Sequence, residues 1–326
     1  MHPAFSVIFL TTLIGAGQGL FLALFTGQFY SMANLIPAQD SISFYALGSL
    51  IVLVLLGLGL FASFFHLGRP ERAWRSVTQW RTSWLSREVI ALPAFMLLVF
   101  IYGISHYFGW NETLFVVGQN FEIDPTIIIG VIASMMAFVL FVCTAMIYGC
   151  VKFIEEWHHW LTVANFTLLG IASGFLLAAA FSAYQGIELV TFYGTWAVIF
   201  MLLALVTRLA SLYRNATLKH KSTLQTAIGV RHTTVIQKAQ GFMGGSFNTR
   251  EFFHGKRPST LKFVKIAFLL LVFILPLALL VIAWSINSPV LPIAAFVLQY
   301  LGLMLERWYF FVEAKHPQNL YYQSMA

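Results

Sequence analysis

Only two of the 326 residues are cysteine, and only 10% are charged. Cys143 and Cys150 stand seven residues apart in one hydrophobic run, about two helical turns. That is too far to bridge without unwinding the helix. An iron–sulfur cluster needs about four thiolates, so this chain supplies no such site of its own. Soluble domains carry about 25% charged residues. A chain that is 59% hydrophobic has more apolar surface than one water-soluble core can hide. Charged residues are also missing from the middle of every hydrophobic run, which argues against a transporter, where polar groups or broken helices stand at the midplane. The net charge of +7 does not point to nucleic acid, because its carriers flank the runs, where membrane topology explains them.

What is present is a series of apolar runs long enough to cross a bilayer, which takes about 20 residues at 1.5 Å each. Backbone in hydrocarbon must satisfy its own hydrogen bonds, and runs of this length choose helices. Eight spans are read at 5–31, 42–65, 86–108, 126–149, 161–183, 189–212, 263–285 and 290–311. The fold class is therefore an all-α integral membrane protein, one domain over 1–326. The first run is not a removable signal: it lacks a basic leader, is too long, and further spans follow it.

All 19 Lys and Arg fall in alternate connections. Arg69, Arg72, Arg75, Arg81 and Arg87 follow span 2, and Lys152 follows span 4. Arg208 through Lys265 follow or flank the end of span 6, and Arg307 and Lys315 lie at the C-terminal end. The other connections hold Asp40, Glu112, Glu122, Asp124 and Glu188 and no cation. Cytoplasmic loops carry the Lys/Arg excess, so both termini and the basic loops are expected in the cytoplasm of a bacterial inner membrane.

The stretch 213–261 is longer than most connections in compact proteins. It carries Phe242, Phe247, Arg250 and Phe252, which a simple tether does not need, and it is read as a cytoplasmic docking loop. Gly15 with Gly19, and Gly170 with Gly174, have the small-x-x-x-small spacing of closely packed helices. Pro276 and Pro292 kink spans, with neighbouring helices restoring the lost bonds. Gln18 needs a partner inside span 1. Trp74, Trp80, Trp84, Trp110, Trp157, Trp160, Trp284 and Trp308 lie near span ends, as an aromatic belt does.

His66 closes span 2 and Glu88 opens span 3, so both stand near the same membrane face. Ionisable groups there are functional candidates: a histidine can hydrogen-bond a quinone carbonyl and move a proton, and a carboxylate can relay protons. The alternative is that both sit at the wet interface and pair with Arg69 or Arg87. His2 and Trp74 are further pocket candidates, while His106 reads as interfacial. Haem would need His66 with His158 or His159 as axial ligands, a remoter reading because no histidine lies at mid-membrane. No metal site is expected.

The segments His66-Leu67-Gly68-Arg69-Pro70 and Ser86-Arg87-Glu88 resemble the membrane anchor subunits of dimethyl sulfoxide reductase-type complexes. So do His2-Pro3-Ala4-Phe5-Ser6, Ser222-Thr223-Leu224-Gln225-Thr226-Ala227 and Phe247-Asn248-Thr249-Arg250-Glu251-Phe252-Phe253. The likeness covers the whole chain. It implies a complex in which a molybdopterin subunit does the substrate chemistry, a ferredoxin-like iron–sulfur subunit relays electrons, and the anchor exchanges them with ubiquinone or menaquinone. It further implies that His66 and Glu88 serve quinone. Arg69 and Arg87 are read as lying at the same site, and Arg69, Arg72 and Arg75 are expected to help hold the negatively charged iron–sulfur partner. With basic loops inside, the branch that fits is the cytoplasm-facing sulfite dehydrogenase, which oxidises sulfite and reduces quinone. The alternative is a reductase anchor that oxidises quinol.

Overall fold

The computed structural model describes residues 2, 4–110, 112–117, 121–184, 186–236, 238 and 254–319. Among the described residues, seven helices are long and apolar enough to cross a membrane: α1 (Phe5–Met32), α2 (Ser41–His66), α3 (Trp84–Tyr107), α4 (Pro125–Gly149), α5 (Trp160–Tyr184), α6 (Ile187–Thr217) and α8 (Pro258–Ile286). Each overlaps an expected span. The eighth expected span is also helical, α9 (Leu291–Glu313), but it is not among those seven and carries Gln299, Glu306 and Arg307. A short helix, α7 (Leu224–Ile228), lies in the long connection. A two-stranded antiparallel ribbon, β1 (Phe115–Val117) and β2 (Phe121–Ile123), joins α3 to α4.

Local chemistry sets the helix starts. Asp124 precedes Pro125, whose missing N–H costs nothing at a first helical position, and its Oδ1 accepts from Ile127 N at 2.9 Å. Asp40 caps α2 by accepting from Ser43 N at 2.6 Å, which holds its carboxyl below the usual range. His159 caps α5, its Nδ1 accepting from Leu161 N. The long connection is shorter than 213–261, because α6 runs on to Thr217 and α8 already begins at Pro258. Phe242, Phe247, Arg250 and Phe252 lie outside the described residues.

Helix α1 runs through the centre, packed on α5 and α2 and also touching α4 and α9. Its glycines meet those of α5: a Cβ on Gly19 would lie 2.2 Å from the Gly170 carbonyl oxygen. Gln18 Nε2 donates to the Ala137 carbonyl of α4 at 3.0 Å, a packing role. In α8 a π turn, Leu270–Ile274, precedes Pro276. Proline cannot donate to the carbonyl four residues back, and Gln299 Nε2 of α9 donates to that carbonyl, Val272, at 3.4 Å.

The two ends of the bundle differ in character. At the acidic end Tyr102 Oη donates to Gln28 Oε1 at 2.7 Å, and Gln28 Nε2 bonds Thr126 Oγ1 at 2.5 Å. His106, expected at the interface, is instead buried there. Its Nδ1 meets Ser41 Oγ at 2.8 Å, and its ring stacks 4.7 Å from that of Tyr45. The other, basic end brings together Ile8, Ala145, Ile154, Trp157, Phe166 and Phe310 as one apolar cluster. Trp157 belongs to that core rather than to a belt, and its Nε1–H donates to the Phe310 carbonyl at 3.1 Å.

Candidate functional site at the basic end

Glu88 lies on the first turns of α3, which starts after Ser83 as its cap. Its side chain is buried and turned towards α4. Thr144 Oγ1 donates to its Oε1 at 2.6 Å, a short bond to a carboxyl that no described cation pairs with. Arg87, the neighbour of Glu88 in sequence, and Ala91, three residues beyond Glu88, line a cavity of about 540 Å³ between α3 and α4, together with Cys143 of α4. Trp80 and Trp84 line the same cavity. The rest of the lining is apolar, so the cavity suits a long apolar chain; Glu88 itself is not among the lining residues.

Arg87 is fixed above this cavity. Its Nε donates to the Trp80 carbonyl at 3.0 Å and its Nη2 to the Arg81 carbonyl at 2.8 Å. The guanidinium stacks 4.2 Å over the Trp84 ring, an electrostatic attraction to the ring face. Arg87 thus gives two of its N–H donors to backbone carbonyls, and among the described residues no ion pair joins it to Glu88.

His66 ends α2 with an exposed side chain, and among the described residues no hydrogen bond joins it to Glu88. The structure therefore places the two at one end of the bundle, on neighbouring helices, without bringing them into contact. Arg69, Arg72 and Arg75 are exposed along the segment Pro70–Gln79. Arg72 is only 3.9 Å from Glu71, and Arg75 lies 5.5 Å over Trp74. Trp74 is 67% exposed and away from the cavity lining. His2 is exposed near His254. The His254 ring is held down to about 4 by burial, with the N-terminus, Lys256 and His2 adding like charge. Of the haem candidates, His158 Nδ1 meets the Gly149 carbonyl at 2.6 Å, and His159 caps α5.

Sequence reasoning missed a second polar centre. Arg208, Glu306 and Arg307 are all buried. Arg208 Nε lies 2.8 Å from Glu306 Oε1, and Arg307 Nε lies 2.5 Å from Glu306 Oε2. Glu313 joins at 3.8 Å from Arg208 Nη1. The sequence pattern groups the two arginines with the cations that flank the membrane. Their ion pairing lets them sit inside the bundle, so their vote on sidedness is weaker than that of the exposed arginines. The signal that could have found them was Glu306 beside Arg307 in an otherwise apolar run.

Residues 1–322 match the family described as DMSO reductase anchor subunit (DmsC). The chain is also 63% identical over 326 residues to a sulfite dehydrogenase subunit of Allochromatium vinosum, a match covering 100% of both chains.

Proposed function

The chain belongs to the DMSO reductase anchor subunit family, and on that footing we propose that it is the quinone-reactive anchor of a sulfite-oxidising complex in a bacterial cytoplasmic membrane. Its partners are an iron–sulfur subunit and a molybdopterin subunit on the cytoplasmic side. Electrons from sulfite reach a quinone bound at the basic end, between α3 and α4. The likeness to a sulfite dehydrogenase subunit supports the substrate. The Lys/Arg excess in alternate connections supports the orientation, with eight spans and both termini inside.

The observation that carries the quinone reading is Glu88: a carboxyl buried at a span end, hydrogen-bonded by Thr144, in no ion pair among the described residues, and next in sequence to Arg87, which lines an apolar cavity of about 540 Å³. A quinone ring seated there puts a carbonyl oxygen near the carboxyl, while its isoprenoid tail lies along the aliphatic wall. Reduction consumes two electrons and two protons, and Glu88 hands protons to the ring oxygens as a general acid. His66, at the end of the adjacent α2, approaches the head group from the aqueous side. Trp80, Trp84 and Arg87 frame the entrance. Arg69, Arg72 and Arg75, exposed and hardly paired, attract the acidic surface of a cluster-bearing partner.

Glu88→Gln keeps the shape and the Thr144 partner but removes the exchangeable proton. It should lower quinone reduction by about 10²-fold or more, the typical share of general acid–base catalysis. Sulfite oxidation with an artificial acceptor should be unchanged. Equal loss of both activities would point to assembly and refute the quinone role. His66→Asn tests the second residue in the same pair of assays.

A further inference from the structure

We propose that Thr144 is a positioning residue for the quinone reaction: its hydroxyl holds Oε1 of Glu88 and leaves Oε2 as the oxygen that gives up the proton. The proposal rests on the reading of Glu88 as the residue that serves quinone. Both side chains are buried, and Thr144 Oγ1 donates to Glu88 Oε1 at 2.6 Å. Among the described residues nothing donates to Oε2.

What threonine ordinarily does inside a helix makes this bond informative. Its hydroxyl folds back onto a carbonyl three or four residues earlier in the same helix. Thr26, Thr191 and Thr195 do so here, bonding the carbonyl four residues back at 2.7, 2.9 and 2.8 Å. Thr11 and Thr12 likewise bond carbonyls of α1. A hydroxyl has one proton to donate, and Thr144 spends it on another helix.

The places of the two residues on their helices agree with this assignment. On α3, Glu88 follows Trp84 by four positions and precedes Ala91 by three, so it shares their face. Trp84, Arg87 and Ala91 line the cavity of about 540 Å³. On α4, Val139 and Cys143 line the same cavity. Thr144 stands one position, about 100°, further round, on the stripe of Ala137 and Leu140, which are fully buried. The threonine therefore meets the carboxyl from the buried stripe of α4, while the cavity runs along the neighbouring stripe.

The chemistry gives the bond a role beyond packing. When Glu88 acts as the acid, its Oε2–H bond breaks, the electron pair stays on the carboxyl, and a new O–H bond forms on a quinone oxygen. Two electrons reach the ring from the iron–sulfur partner, and water at the basic end restores the proton on Glu88 before the second transfer. As the proton leaves, the carboxyl becomes a carboxylate. The bond from Thr144 is then charge-assisted and roughly twice as strong as a neutral one. The hydroxyl thus favours the state that the transfer produces, which speeds the reaction rather than tightening quinone binding. It also fixes the carboxyl plane, so Oε2 is held in one direction.

The test uses the whole complex, this chain with its partner subunits, with sulfite as donor and either a short-chain ubiquinone or an artificial acceptor. Thr144→Val keeps the shape and removes the donor. The expected result is a fall in kcat for the quinone of about 10- to 100-fold, the range for losing a hydrogen bond to a charged group. KM for the quinone and the rate with the artificial acceptor should hardly change. Thr144→Ser, which keeps the hydroxyl, should recover most of the rate. In a Glu88→Gln background Thr144→Val should add little further slowing, because the threonine acts through the carboxyl. An unchanged quinone rate in Thr144→Val overturns the proposal, as does a raised KM with kcat intact. Equal loss with both acceptors assigns the bond to assembly, and a serine variant as slow as the valine one assigns the effect to the methyl group; either overturns it too. So does a full further slowing in the Glu88→Gln background. If the valine complex fails to assemble, Thr144→Ala is compared with Thr144→Ser by the same criteria. Glu88→Gln alone separates the two readings. If it leaves quinone reduction intact, the reading of Glu88 fails. If it blocks reduction while Thr144→Val does not slow it, only the positioning role fails.

Discussion

Replacing Gly174 by alanine is the sharpest test of the packing that holds both polar ends in place. A Cβ on Gly174 would meet the Gly19 carbonyl carbon at 1.9 Å and Leu20 N at 2.1 Å. Ordinary contact starts at 3.4 Å, so 3.4 less 1.9 leaves about 1.5 Å that α1 and α5 must find by moving apart. Both obstructing atoms are backbone and cannot rotate aside. Overpacking of this kind typically costs about 1–3 kcal/mol. A shift of that size also threatens the Gln18 bond to Ala137 at 3.0 Å, and interhelical bonds in membranes average about 0.6 kcal/mol. The expected loss is therefore about 2–4 kcal/mol, a 30- to 1,000-fold change in the folding equilibrium. The two native thiols give the assay, because Cys143 is buried and Cys150 exposed. A thiol-reactive fluorophore labels Cys150 at once and Cys143 only on unfolding, so the second phase reports melting. Gly57→Ala is the control, since nothing lies within 4 Å of its added Cβ. It should leave melting unchanged or raise it slightly, alanine being the better helix former. The reasoning is refuted if Gly174→Ala melts with the wild type, or if Gly57→Ala is equally harmful.

Two further outcomes follow from particular contacts. Gln299→Leu should cost about 0.6–1.7 kcal/mol in thermal stability, and the cost should shrink in a Pro276→Ala background, where a backbone N–H can again reach the Val272 carbonyl; equal costs in both backgrounds would show that the bond is incidental. For sidedness, a membrane-impermeant maleimide should label Cys150 in inside-out vesicles and not in intact cells, and the reverse pattern would overturn the cytoplasmic placement of the basic loops.

The spans were legible because hydrocarbon leaves the backbone few choices. Each expected run became a helix, with ends displaced by a few residues where a cap or a proline took over, as at Ser83 and Pro258. The glycine spacing in spans 1 and 5 was legible for a similar reason: two smooth stripes on long helices find each other. Of the candidate site, Glu88 and His66 stand at one end of the bundle, as their span-end positions indicate. The Thr144 partner was not legible, because 56 positions separate it from Glu88 and no local pattern marks which face of α4 turns to α3. His106 misled because a histidine near a span end reads as wet until Tyr45 and Tyr102 are seen to enclose it.

The Arg208–Glu306 ion pair shows the division most clearly. Arg208 and Glu306 stand almost a hundred positions apart, each near the end of its own helix, where a charged residue can reach water and so reads as ordinary. By itself the sequence determined that the chain crosses the membrane repeatedly and that its cations gather at one end, since both follow from the cost of placing polar groups in lipid. Which of those cations face water and which are drawn inside was decided only by tertiary structure, because an ion can be buried only when a counter-ion from another helix arrives at the same depth.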